Sequence, residues 1–182
     1  MPTSCVSRAR GVAAVACAIA LSFFVARASA KDCGGAVECE CGDRVTASTT
    51  LGGDLNNCPA RGLELRSGVL DCAGHQIAGP GDRLVAEGIA LVSAVGAQVL
   101  NCDVRNFGIG VYIDGGSDNV ISHNNIFSNQ IGVRIGDGAV RNWLLSNKVH
   151  DNRDEGVHIG GTTSDNLVQS NETLANRREN LY

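Results

Sequence analysis

The sequence predicts an all-β solenoid. Three observations predict it: a block that recurs at a nearly fixed period, strand-like alternation inside each block, and no run of ten or more residues with helical period in the repeats. The block opens with Gly110-Val111-Tyr112-Ile113 and continues from Asn119 to Asn129. It returns 22 residues on as Gly132-Val133-Arg134-Ile135 with Asn142 to Asn152, and 24 residues further as Gly156-Val157-His158-Ile159 with Asn166 to Asn176. A fainter copy, Gly88-Ile89-Ala90-Leu91 with Val99, Cys102 and Val104, precedes the first by 22. Self-similarity at this period marks stacked supersecondary units, none of which can bury its apolar face alone.

Within one repeat the apolar positions fall in three short segments: Val111 with Ile113, then Ile121, then Ile126. That is strand spacing. Gly, Asn, Asp and Ser stand between the segments and accept the left-handed backbone that sharp corners need. Each repeat is therefore three strands and three turns, and repeats stacked in register build three parallel sheets around a narrow core. The fold class is a single-stranded parallel β-helix, and the handedness preference of parallel crossovers makes it right-handed. About 150 residues beyond the leader suffice for one domain of about six coils.

Asn124, Asn147 and Asn171 fall at one turn in successive copies, and Asn129, Asn152 and Asn176 at another. Asparagine suits a left-handed corner, and a stack of like amides can both donate and accept, so these columns are expected to form structural ladders. With these features the chain resembles the right-handed β-helix repeat proteins, the superfamily of pectate lyases, polygalacturonases and the carbohydrate-binding domain of periplasmic NosD-type proteins. The resemblance runs from about Cys41 to the C-terminus and is specific for fold rather than activity.

At the start of the chain, Arg8 and Arg10 precede an apolar run from Gly11 to Ala26 that Ala28-Ser29-Ala30 closes. Residues 1–30 read as a secretory signal peptide, which implies a periplasmic or extracellular protein. Their removal takes three arginines and no acid, leaving 12 basic residues against 19 acidic ones. Such a surface disfavours nucleic acid and anionic membrane as partners. Six cysteines remain, Cys33, Cys39, Cys41, Cys58, Cys72 and Cys102, an even number that suits disulfides in an exported chain. Cys33 is expected to pair with Cys39 and Cys41 with Cys58. Cys72 and Cys102 occupy matching places and either bond between coils or stack as thiols. A zinc or redox site from Cys39-Glu40-Cys41 lacks a second pair at ligand spacing.

Residues 31–66 read as a disulfide-rich cap and lead-in that blocks edge-to-edge association, and residues 67–182 as the repeats. The pattern from Cys41-Gly42-Asp43 to Ile77-Ala78-Gly79 resembles the lead-in of exported bacterial β-helix proteins. His75 matches the Gly-His element of polygalacturonases but lacks that family's paired aspartates. At the other end, the 24-residue step lands on Asn180-Leu181-Tyr182, where a further first-sheet strand is expected to begin. No cap is expected there: either the frame is truncated relative to a longer relative, or a partner or second copy covers the last coil.

Function must come from outward-facing residues. The residue between the two inward ones of each first strand gives the column Ala90, Tyr112, Arg134, His158. In the resembling enzymes the first sheet carries the substrate groove. An aromatic face, a guanidinium and an imidazole are plausible parts of a polyuronide site, so Tyr112, Arg134 and His158 are the candidate ligand contacts. Asp114, Asp118 and Asp137 read as turn formers rather than a metal site, and no cofactor is implied. His123 is expected to point inward as a hydrogen-bonded structural histidine. His150 replaces Phe127 on the third sheet, and Trp143 faces outward on the second. The sequon Asn171-Glu172-Thr173 coincides with a ladder position, and Arg177-Arg178 reads as a solvated turn. Three functions remain: polysaccharide binding without turnover, a lyase, hydrolase or epimerase, and a structural or assembly module. Paired carboxylates, or a base with metal-binding acids, are not evident, and the short turns leave little from which to build a cleft, so binding is the preferred reading and catalytic residues are unassigned.

Overall fold

In the computed structural model, which describes residues 30–81 and 85–181, every regular element is a β-strand. The segment read as a signal peptide, residues 1–30, lies outside the described residues apart from Ala30. β1 (Asp32–Cys33) lies at one end of the stack. The first coil contributes β2 (Arg44–Val45) and β3 (Thr49–Thr50), with a bridge from Leu55 to Ile77 in place of a third strand. The second contributes β4 (Leu63–Leu65), β5 (Val69–Asp71) and β6 (Gln76–Ala78). The third has β7 (Val85–Val92), β8 (Gln98–Leu100) and β9 (Asp103–Arg105). The fourth has β10 (Phe107–Asp114), β11 (Val120–Ser122) and β12 (Asn125–Phe127). The fifth has β13 (Ile131–Ile135), β14 (Trp143–Leu145) and β15 (Lys148–His150). The sixth has β16 (Val157–Ile159), β17 (Leu167–Gln169) and β18 (Glu172–Leu174).

These strands form three parallel sheets, ordered β1-β2-β4-β7-β10-β13-β16, β3-β5-β8-β11-β14-β17 and β6-β9-β12-β15-β18. The stack of about six coils is the expected all-β solenoid. The first coil is built within the segment read as cap and lead-in. At the far end Leu181 bridges Val157, where the 24-residue step puts a first-sheet strand.

One side chain per strand, or two on the first sheet, closes the core of each coil. Val111, Ile113, Ile121 and Ile126 are buried, and Val133, Ile135, Leu144 and Val149 repeat them one coil on. Each such side chain contributes about 1.5–3 kcal/mol relative to exposure. The recurrent glycine at the head of each block has a packing cause. A Cβ on Gly110 would stand 2.6 Å from Ile126 Cγ2 and 2.8 Å from Asn129 Nδ2, and one on Gly88 would stand 2.5 Å from Val104 Cγ1. The first and third sheets approach each other too closely there for any side chain.

Asparagine ladders fasten the later coils, and there are three of them. Beside the two expected columns stands Asn119, Asn142 and Asn166. In the middle of one column, Asn147 Oδ1 accepts from Asn124 N–H and Asn124 Nδ2, both at 3.0 Å. Asn147 Nδ2 donates to Ile121 O at 2.8 Å and to Asn171 Oδ1 at 2.9 Å. All four hydrogen-bonding sites of the amide are therefore used, which is what permits burial of so polar a group.

The corner chemistry differs from expectation. The asparagines do not take the left-handed conformation. The residue before each one does: His123 has φ 56°, Ser146 54° and Ser170 58°. The corner residue turns outward, which frees the asparagine to point inward. His123 is accordingly exposed, not an inward structural histidine, because one left-handed residue resets the strand alternation on which its placement rested.

The cap is covalently tied. Disulfides join Cys33 to Cys39, Cys41 to Cys58 and Cys72 to Cys102, the last linking the second coil to the third. The buried Asp43 carboxylate accepts from Glu40 N–H at 2.8 Å and Lys31 N–H at 3.2 Å, holding the lead-in over β2.

Candidate functional site

The outward column of the first sheet is in register. Ala90 pairs with Tyr112, Tyr112 with Arg134, and Arg134 with His158. Upstream it continues through Glu64 and Arg44. Ala90 is fully covered and offers no surface, so the accessible column is Tyr112, Arg134 and His158.

These three residues form a continuous strip. The Arg134 guanidinium lies 5.7 Å from the Tyr112 ring centroid, within cation–π range. The Tyr112 hydroxyl donates to Asp114 Oδ1 at 3.2 Å. Burial, and then the Asp114 carboxylate, raise the Tyr112 phenol above its ordinary value, so it stays a neutral donor. Glycines flank the rings: a Cβ on Gly136 would stand 2.9 Å from the Tyr112 hydroxyl, and one on Gly160 2.7 Å from His158 Nε2. The Tyr112 and His158 rings therefore lie close over glycine backbone, which the sequence carries as Gly136 and Gly160 but which only the lateral packing of the rings makes meaningful.

Charge is distributed unevenly along the sheet. Glu64 accepts from Arg61 at 2.7 Å and from Arg44 and Arg66 at 3.2 Å each, and Arg61 also reaches Glu87 at 3.0 Å. Burial pushes the Glu64 carboxyl up, but the hydrogen bonds from Arg66 and Arg44 outweigh it and leave the value below the usual glutamate range. No described carboxylate lies within ion-pair distance of the exposed Arg134, which thus differs from the arginines above it.

The acids near the first turn are individually occupied. Asp118 binds Arg141 through two 2.8 Å contacts between adjacent coils, and the arginine, followed by Ser117, holds its carboxyl below the usual range. Asp137 Oδ1 accepts from Thr162 N–H at 3.0 Å. Among the described residues no three His, Cys, Asp or Glu side chains gather as a metal centre would require.

His75 and His150 have local partners. His75 Nδ1 lies 3.0 Å from Asp54 Oδ1, on an acid that the Gln76 N–H and His75 together hold below its ordinary value. His150 Nδ1 lies 2.6 Å from Asp151 Oδ2, its Nε2 lies 2.9 Å from Asn125 Oδ1, and its ring stacks on Phe127 with centroids 5.3 Å apart. A depression of about 480 Å³ lies away from the strip, between Gly35–Cys39 and Thr49–Leu55, where the charged side chains are Glu38 and Asp54.

The family model for the right handed beta helix region matches residues 29–173. The chain belongs to this family. That gives the stack its hand. An alignment 84 residues long, which covers 40% of this chain, is 33% identical to "Uncharacterized protein YwoF" of Bacillus subtilis (strain 168) and covers 18% of that protein's length. The match therefore spans about a fifth of that relative. No solved structure matches the chain.

Proposed function

We propose that this β-helix is an exported protein that binds acidic polysaccharide through the first-sheet strip without cleaving it. The observation that carries the reading is Arg134: an exposed guanidinium over an aromatic ring, free of described carboxylate partners and in register with Tyr112 and His158. A uronate ring can stack against the tyrosine edge while its carboxylate takes the guanidinium bidentately. The three disulfides support an oxidising compartment. The prior engagement of Asp114, Asp118 and Asp137 within the protein supports binding over hydrolysis, which uses two opposed carboxyl groups.

Calorimetric titration with oligogalacturonate tests this reading. Arg134→Ala should weaken binding most, by roughly 10-fold or more, as expected for a charge-assisted hydrogen bond worth about 1.5–3 kcal/mol. Tyr112→Ala should come next. His158→Ala should matter more in acid, where imidazole gains a proton. Unchanged affinity in the triple alanine variant would move the site elsewhere. Steady product formation that His158→Ala abolishes would replace the binding reading with an enzymatic one.

A further inference from the structure

The second sheet presents a surface of different chemistry. Val120, Trp143 and Leu167 stand in one outward column, each paired to the next across adjacent strands, and Leu145 lies beside Trp143 in the neighbouring column. Trp143 keeps 49% of its surface open and Leu167 41%. No outward position of β8, β11, β14 or β17 carries a charge, and Gln98, Ser122 and Gln169 form the polar margin.

The dimensions narrow the choice of occupant. Four strands at about 4.8 Å span roughly 14 Å, and three-residue strands limit the width to about 10 Å. That is roughly 150 Å², far below the ~800 Å² that each partner brings to a stable protein interface. A globular partner, including a second copy of this chain, would gain too little. A single extended sugar chain fits: its rings expose apolar C–H faces to stack on indole and aliphatic groups, with equatorial hydroxyls reaching the amide and hydroxyl margin. A carboxylated sugar would lose hydration here without meeting a free cation, since the flanking Arg141, two residues before Trp143, is already bound by Asp118.

We propose that this strip is a second glycan-binding surface, selective for uncharged β-linked oligosaccharide, with the Trp143 indole as its stacking platform. It is independent of the first-sheet reading, since it lies on another sheet and takes a ligand of different charge.

The chain's single tryptophan reports on its own site. Titration of the full chain with cellohexaose should shift the emission to the blue and saturate, as sugar excludes water from the indole. Leu167→Lys keeps the reporter at an exposed position and should weaken binding about tenfold or more. Trp143→Ala, followed by calorimetry, should abolish binding. Arg134→Ala should leave the cellohexaose titration unchanged, so failure of the first-sheet site and failure of this one give different results. An emission unaffected by millimolar cellohexaose in a chain with a β-rich circular dichroism spectrum would overturn the proposal. Undiminished calorimetric binding in both Trp143→Ala and Leu167→Lys would do the same. Sedimentation of a dimer that Leu167→Lys dissociates would also overturn it, making the strip a self-association face.

Discussion

Asn147→Ala should be the most damaging of the substitutions in its ladder. The side chain is 2% exposed and makes four hydrogen bonds, so its truncation leaves the Asn124 N–H and one Asn124 Nδ2 proton without acceptors in a dry corner. An orphaned buried donor costs about 1–3 kcal/mol, which puts the expected loss at roughly 2–4 kcal/mol once partial relaxation is allowed. Asn124→Ala orphans a single donor, Cys102 N–H. Asn171→Ala orphans the same kinds of donor on Asn147, but at a half-buried site that water can reach, so both should cost less. Urea unfolding followed by far-UV circular dichroism gives the ranking, with the slope checked because stacked coils can lose cooperativity. The double variant Asn124→Ala/Asn147→Ala should be less harmful than the sum, since it removes some of the orphaned groups themselves. Losses below about 0.5 kcal/mol in both Asn147→Ala and Asn171→Ala would refute the reasoning, because such amides would be behaving like ordinary surface residues.

Gly132→Ala should prevent normal stacking, since the added methyl would overlap Val149 and approach Gly156 O to 2.5 Å, whereas Gly53→Ala, with open space around it, should be near neutral; soluble yield and the urea midpoint check the contrast. Glu64 has a folded pKa below its unfolded value, so its contribution is present at neutral pH and fades as pH falls below 4.5 through the depressed folded value. Glu64→Gln should therefore lower stability at neutral pH and converge with the native chain in acid, as read from urea midpoints across that range; a gap that widened in acid would contradict the sign.

The inward half of this fold was legible because stacking forces it to repeat. Val111, Ile113, Ile121 and Ile126 recur in kind at 22 to 24 residues because each must pack on its counterpart. The glycine head recurs for the same reason, although its cause, contact with the third sheet, needs three dimensions. Asn119, Asn142 and Asn166 recur at 23 and 24 like the other columns, so the signal for the third ladder was present. Its upstream counterpart is Ala97, which supplies only a backbone N–H to the column and so hides where it begins. His123 was misplaced because parity counts side chains and does not register a left-handed residue. The Arg44–Glu64–Arg61–Glu87 network lies largely upstream of the clear repeats, and its pairings join residues 20 and 26 apart with no period to announce them.

Two kinds of fastening meet at Cys102. Its sulfur is bonded back to Cys72, and its N–H is accepted by Asn124 Oδ1 at 2.9 Å, the first rung of a ladder. Upstream, the Cys72–Cys102 disulfide and the Glu64 ion network tie one coil to the next. Downstream, buried amides do so, each reaching back one full turn of the solenoid: Asn119, Asn124 and Asn129 take the N–H groups of Ala97, Cys102 and Phe107. A ladder of inward side chains asks nothing of the outward ones. In coils four to six, therefore, the outer columns can change from tyrosine to arginine to histidine, or from valine to tryptophan to leucine, with little effect on the core. Both proposed strips lie on those coils. The same separation that makes the outward residues hard to read from the repeat is what leaves them available for a ligand.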